Sequence, residues 1–275
     1  MNKISAKKDL PRFGITLSGG GARGIAHIGV LSALEKYGIK PQVVSGTSMG
    51  AIVGAFYAAG YPPKDLLKVL MERKFHHLVN WNKPFSGLID LDKLKGRLEE
   101  VIGKDDFSSL KMPFYCAVTN LNSGEVEIKS EGELFKWVLA SASIPVVFEP
   151  QIVDGQTYVD GGLLNNLPAE SIRDKCQFLI GVHVNHNGPE KDVKGLKTVA
   201  ERAFRLGIAQ NVESSKVLCD FFIEPPEARN YSTFAFNKAK EIYEVGYKQT
   251  EKQLRELFND IDLEKVMELM KGNDA

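Results

Sequence analysis

Short apolar and β-branched runs, each bounded by turn residues, recur along the chain. They predict strands at Phe13 to Leu17, Gln42 to Ser45, Phe114 to Thr119, Glu125 to Lys129, Thr157 to Val159, Phe178 to Val184 and Phe221 to Ile223. Stretches with helical periodicity lie between them. From Ile25 to Tyr37 the residues Ile28, Leu31 and Leu34 share one face, and Gly38 stands where a C-cap glycine belongs. Further helices are expected at Val193 to Leu218 and at Ala239 to Phe258, followed by a polar end from Lys271 to Ala275 that frays. The stretch from Tyr61 to Gly103 reads as mainly helical, interrupted at Trp81 to Gly87 by Pro84 and Gly87, and is expected to form a lid or rim. Strand alternating with helix predicts an α/β fold with a mostly parallel central sheet and helices on both faces. In such sheets chemistry sits at the carboxyl ends of the strands.

Composition narrows the class. The chain has 275 residues, 43% of them hydrophobic, which suits a single large domain over residues 13–275. A flexible basic arm, residues 1–12, precedes it with Lys3, Lys7, Lys8 and Arg12. Lys and Arg total 35, as do Asp and Glu, so no global field draws the protein to nucleic acid, and any peripheral membrane contact must be local. No signal-peptide apolar region follows the arm, and the longest apolar stretch, Met49 to Tyr61, is too short to span a bilayer. A cytoplasmic protein is expected. Cys116, Cys176 and Cys219 lack C-x-x-C spacing and read as reduced, buried fillers, with neither a zinc site nor a disulfide framework.

Two turns carry the candidate chemistry. The first, Ser18 to Gly24, follows a strand and opens a helix, and Gly19, Gly21 and Gly24 fit G-x-G-x-x-G. A dinucleotide site would add a carboxylate at the end of the second strand, but that strand ends Val43-Val44-Ser45-Gly46-Thr47-Ser48. A phosphate-binding loop would need Gly-Lys-Ser/Thr, and Arg23-Gly24-Ile25 does not supply it. The second turn, Gly46-Thr47-Ser48-Met49-Gly50, is a G-x-S-x-G pentapeptide between strand and helix, the context of a nucleophile elbow. The helix that follows presents its positive end to the oxyanion formed when Ser48 attacks a carbonyl. The glycine loop then gains a purpose, since backbone amides around Gly20 and Gly21 can form an oxyanion hole worth roughly 3 kcal/mol per donor.

A serine hydroxyl needs a base. Asp160, in Tyr158-Val159-Asp160-Gly161-Gly162, stands at the end of a short strand. Alternatively Ser48, Asp160 and His186 follow the chain order of a hydrolase triad, His183 being the weaker candidate because it falls inside a predicted buried strand. Asp-Gly is also a plain turn former, as expected at Asp154-Gly155.

These residues together resemble the patatin-like phospholipases. The loop Gly19 to Gly24, the elbow Gly46 to Gly50 and Asp160-Gly161-Gly162 match that family's motifs in order, as do Ala140 to Pro145 and Asn165 to Pro168. The resemblance implies a three-layer α/β/α fold and a serine acyl hydrolase that cleaves fatty-acyl esters of phospholipids or related lipids. It assigns Ser48 as nucleophile and Asp160 as proton acceptor, without a histidine. It places the oxyanion hole in Gly19, Gly20, Gly21, Ala22, Arg23 and Gly24, the elbow in Gly46, Thr47, Met49 and Gly50, and the third motif in Gly161 and Gly162. Arg23 then orients the loop, meets a phosphate or forms a structural salt bridge, and His27 packs. No cofactor and no metal are implied. The expected partner is a lipid or acyl-ester substrate; Phe75, Leu78, Trp81 and Phe85 form either an interfacial rim in local membrane contact or part of the core. An acyltransferase or thioesterase with the same nucleophile, and a silent lipid-binding module, are the alternatives.

Overall fold

The computed structural model describes residues 10–71, 91–145, 147–186, 188–189 and 192–258. Eight strands form one sheet: β1 (Phe13–Leu17), β2 (Val43–Gly46), β3 (Phe114–Asn120), β4 (Glu125–Lys129), β5 (Gln151–Val153), β6 (Gln156–Asp160), β7 (Phe178–Val182) and β8 (Phe221–Ile223). Their order is β5-β6-β3-β2-β1-β7-β8, with β4 paired to β3 off this path. The run β3-β2-β1-β7-β8 is parallel, whereas β4, β5 and β6 join antiparallel. Among the described residues the α-helices are α1 (Ala26–Lys36), α2 (Met49–Ala58), α3 (Pro63–Met71), α4 (Leu91–Ile102), α5 (Leu134–Ser141), α6 (Leu196–Lys216) and α7 (Ala239–Phe258). They make the fold a three-layer α/β/α sandwich.

Burial explains the parallel run. In β1, the residues from Gly14 to Leu17 are all buried, as expected of a strand covered on both faces. Alternation then sorts the side chains. Ile15, Val44, Ile180 and Val182 enter the main core with α1 and α2. Val43 and Leu179 turn the other way and join Ala169, Ile172 and Cys176 in a smaller cluster. The antiparallel strands are more exposed, and β5 and β6 are joined through Asp154 (φ 50°) and Gly155 (φ 75°). Positive φ at both central residues is the signature of a type I′ hairpin, so the Asp-Gly pair does act as a turn there.

The predicted elements agree with these bounds to within a few residues, with three differences. β5 and α5 lack a legible sequence signal. β7 stops at Val182, so His183 lies just beyond the strand, although its N–H still donates to the Ile223 carbonyl at 3.0 Å. Trp81 to Gly87, the residues Phe75, Leu78, Trp81 and Phe85, most of the basic arm and the polar C-terminal end lie outside the described residues.

Two features position the site. β1 is flanked by β2 on one side and β7 on the other, so the loop leaving β1 stands at a switch in strand order, where α/β sheets bind ligands. That loop leads into α1, which crosses α7 closely: a Cβ on Gly246 would lie 2.1 Å from the Ala26 carbonyl oxygen, and one on Gly29 would lie 2.0 Å from that of Tyr243.

This crossing yields a stability prediction of opposite sign at two helical glycines. Gly246→Ala gains up to about 1 kcal/mol of helix propensity. It must also force the α1 and α7 backbones apart, an overpacking cost near the upper end of the roughly 1–3 kcal/mol range. The net expectation is a loss of about 2 kcal/mol in urea denaturation. Gly207→Ala on α6, where a Cβ meets nothing within 4 Å, should instead gain up to about 1 kcal/mol. Equal effects at both sites would show that the helices do not meet through Gly246.

Candidate active site

The elbow between β2 and α2 holds Ser48 at φ 54° and ψ −122°, a strained conformation for a residue with a side chain. Glycines on both sides make the turn fit. A Cβ on Gly46 would lie 2.5 Å from the Gly50 carbonyl oxygen, and one on Gly50 would lie 2.2 Å from that of Leu17. The strain is held by neighbours. The Thr47 N–H donates to the Leu17 carbonyl at 3.1 Å and its hydroxyl to the Asn165 carbonyl at 3.0 Å. The Ser48 N–H donates to the Ser141 hydroxyl oxygen at 2.9 Å, and the Ser141 hydroxyl donates to the Ala117 carbonyl at 2.7 Å.

Asp160 ends β6, and β3 brings it to the elbow. Gly46 pairs with Cys116 and Asp160 with Val118, so the two strand ends are registered two residues apart along one strand, about 7 Å. Its N–H donates to the Ser143 carbonyl at 2.9 Å, and its carbonyl accepts the Thr119 hydroxyl at 3.1 Å. The carboxylate is 2% exposed, accepts the Gly162 N–H at 2.7 Å and lies within hydrogen-bonding reach of the Ser48 hydroxyl. Burial pushes its pKa up to about 7, against the opposing effect of these two hydrogen bonds. A carboxylate of that basicity can take a proton near neutral pH.

The glycine loop lies against the nucleophile, since a Cβ on Gly19 would be 3.0 Å from the Ser48 Cβ. Its amides are not equivalent. Those of Gly19, Ala22 and Arg23 donate to the carbonyls of Asn166, Thr233 and Gly20, at 3.2, 2.8 and 3.2 Å. Among the described residues, the amides of Gly20 and Gly21 meet no protein acceptor. The loop is pinned from behind by the Asn185 amide, which donates to the Gly19 carbonyl at 2.7 Å, and by the His27 Nε2, 2.7 Å from the Ser18 carbonyl oxygen. Burial lowers the His27 pKa to about 4, so the neutral ring acts as a donor. The buried Arg23 donates from Nε to the Tyr231 carbonyl at 2.8 Å, a contact that orients the loop.

The two candidate triad histidines share a different carboxylate. His183 Nδ1 is 2.9 Å from one Glu224 oxygen and His186 Nδ1 is 3.3 Å from the other. Hydrogen bonding to His183, with a further contribution from His186, holds Glu224 down to about 2 despite partial burial. The His183 side chain is thus buried against the Glu224 carboxylate. Three participants carried no sequence signal for their place here. Ser141 fell in a run noted only for its resemblance. Asn211 accepts the Asn166 N–H at 2.9 Å and donates to the Gly162 carbonyl at 3.2 Å. Thr233 belongs to a loop that no motif marks.

Comparison with known proteins finds a family match and several similar chains. Residues 15–172 match the family described as patatin-like phospholipase. Lysophospholipase NTE1 of Saccharomyces cerevisiae is 28% identical over 269 residues, covering 85% of this chain and 16% of that protein. The corresponding protein of Neurospora crassa is 28% identical over 276 residues, covering 89% of this chain and 18% of its own length. The chain therefore spans under a fifth of the curated relatives it matches. VipD from Legionella pneumophila has a similar fold, with a TM-score of 0.53 and 18% identity over 90% of this chain and 67% of that one.

Ser141 supplies the test of the elbow's geometry. Ser141→Ala deletes the acceptor for the Ser48 N–H and should lower kcat about tenfold or more while leaving KM within about twofold, because misplacing a nucleophile costs the transition state and not binding. Ser141→Thr, which keeps the hydroxyl, should recover most of the rate. A Ser141→Ala enzyme with unchanged kcat would show that the elbow holds Ser48 without it.

Proposed function

The chain belongs to the patatin-like phospholipase family, and from that premise we propose that it is a serine acyl hydrolase acting through Ser48 and Asp160 on fatty-acyl esters of phospholipids, lysophospholipids or related lipids. The observation that carries this reading is the buried Asp160 carboxylate, raised to about 7, within reach of the Ser48 hydroxyl. The relatives are named lysophospholipases, which supports a lysophospholipid among the substrates. Among the described residues no helix is long and apolar enough to cross a membrane. The proposal includes peripheral contact with lipid by a cytoplasmic domain.

In the proposed cycle Asp160 accepts the Ser48 proton as Oγ adds to the ester carbonyl carbon. The oxyanion forms beside the glycine loop, where the amides of Gly20 and Gly21 stabilise it by roughly 3 kcal/mol each. Collapse breaks the ester C–O bond. The leaving alcohol takes the proton from Asp160, and the acyl group stays on Ser48. Water then adds to the acyl-enzyme with Asp160 again accepting a proton, and release of the fatty acid restores the Ser48 hydroxyl. No step requires His183 or His186.

Hydrolysis of p-nitrophenyl esters and of a lysophospholipid should fall at least about 10³-fold in Ser48→Ala and in Asp160→Asn, with both variants folded by circular dichroism. His186→Ala should stay within about threefold of wild type. A near-normal rate in Asp160→Asn would refute the dyad, and a loss of several hundredfold in His186→Ala would replace it with a triad.

The pH profile tests the same carboxylate independently. Only ionised Asp160 can accept a proton, and its pKa is raised, so kcat/KM should climb as pH rises through about 7 and level off above it. A profile already flat by pH 5 would place the base at an ordinary carboxylate pKa and exclude a desolvated Asp160.

A further inference from the structure

Asn211 lies inside α6, far along the chain from the elbow and from Asp160, and beyond residue 172, where the family match ends. Asparagine is a poor helix former because its side chain competes for backbone hydrogen bonds, so helix stability does not call for it at an interior position. Both ends of its carboxamide are engaged elsewhere. Oδ1 accepts the Asn166 N–H at 2.9 Å, and Nδ2 donates to the Gly162 carbonyl at 3.2 Å. One side chain thereby holds the two ends of the strap that runs from Gly162 to Asn166.

Each end of that strap reaches a group of the candidate site. At the first, the Gly162 N–H donates to the Asp160 carboxylate at 2.7 Å. The turn is curled by its own hydrogen bonds, from the Leu164 and Asn165 N–H groups to the Gly161 carbonyl at 3.2 and 2.8 Å, and Asn211 fixes it to the helix outside. At the second, one peptide unit is held from two sides. Its N–H, that of Asn166, donates to Asn211, and its carbonyl, that of Asn165, accepts the Thr47 hydroxyl at 3.0 Å. Thr47 immediately precedes Ser48 in the elbow. The Asn166 carbonyl accepts the Gly19 N–H at 3.2 Å, which extends the same tie to the glycine loop. Hydrogen bonds that share a peptide reinforce one another, so removing the one to Asn211 weakens the one from Thr47.

We propose that Asn211 is a positioning residue for Ser48 and Asp160, clasping the Asp160 turn and the elbow to α6 so that the two groups keep one separation. The inference rests on the acyl-hydrolase reading and adds to it a residue that touches neither substrate nor reacting atoms. Without the clasp the Gly162 N–H is no longer aimed at the carboxylate, and the Asn165 carbonyl no longer braces Thr47. The first loss removes a hydrogen bond that favours ionised Asp160, so the pH at which the base becomes active moves up. The second lets Ser48 wander, a cost borne by the transition state, so kcat falls while KM holds. The Cys116 thiol on β3 interacts electrostatically with the same carboxylate, but burial raises it to about 12 and it stays neutral near pH 7.

The test uses the full chain as wild type, Asn211→Ala and Asn211→Leu, with folding checked by circular dichroism. Leucine keeps a branched side chain without either polar group and is the better helix former, which guards against misfolding of the truncation. Two readouts are followed across pH: kcat and KM for a p-nitrophenyl ester, and the rate of Ser48 labelling by an alkyl fluorophosphonate, which needs no turnover. Both variants should lose about tenfold or more in kcat with KM within about twofold of wild type. The midpoints of their kcat/KM and labelling profiles should rise by roughly half a pH unit or more. Gln210→Ala, at the exposed neighbouring position of α6, should match wild type in both readouts. Unchanged kcat in both variants, or a fall in kcat with the midpoint unmoved, overturns the proposal, as does loss of folding in both or an equal shift in Gln210→Ala. Labelling that follows the expected pattern without hydrolysis of any ester overturns the acyl-hydrolase reading and leaves the clasp standing. Neither labelling nor hydrolysis by wild type overturns both.

Discussion

The site is organised around a carboxylate that has been taken out of water without a cation to balance it. Asp160 is 2% exposed, and among the described residues its charge is met only by the Gly162 N–H and the Ser48 hydroxyl. Two hydrogen bonds are less than hydration supplies, and the raised pKa is the consequence. In solution a carboxylate near pH 4 is too weak a base to accept a serine proton at neutrality. In the proposed cycle, desolvation removes that deficiency without an imidazole. A salt bridge to Asp160 would undo the effect by lowering the pKa again, so the absence of a paired cation and the presence of a useful base are one property.

Such a group costs folding free energy, and the surrounding structure is arranged to hold it in place. The residues from Ala140 to Ser143 touch both reacting groups, Ser141 through the Ser48 N–H and Ser143 through the Asp160 N–H. One short stretch thereby sets the separation of Ser48 and Asp160. β3 sets it a second time by pairing with both strand ends. Strain at Ser48 and burial of Asp160 are each destabilising alone, and each is tolerated because the other elements leave little freedom to relax.

How much of this was legible depended on how local each signal is. The elbow, the glycine loop and the Asp-Gly-Gly turn are contiguous, and the strands β1, β4 and β8 announce themselves by composition. β5 has three residues and α5 eight, too short for periodicity to register. The antiparallel attachment of β4 to β6 was also hidden, because strand direction is decided by pairing partners that sequence does not name. The supporting hydrogen bonds span long separations, 93 residues for Ser141 and 208 for Arg23 with Tyr231. A serine that accepts from an elbow amide looks, in sequence, like any other buried serine. The partner of the two histidines is the same kind of distant contact, Glu224 being 41 residues from His183.

The groups that shape the candidate site are spread unevenly along the chain. The elbow, the glycine loop, Asp160 and Ser141 all fall within residues 15–172. Of the groups that restrain the glycine loop, His27 and Asn166 fall there too while Asn185, Tyr231 and Thr233 come later, and of the apolar side chains beside Ser48 only Phe234 and Phe236 come later. A substitution in the later region can reshape that lining without touching Ser48 or Asp160. It cannot, however, do so without consequence for the loop amides, because the same six residues from Tyr231 to Phe236 serve both. The apolar lining beside Ser48 and the backbone of the glycine loop are therefore mechanically joined in this fold.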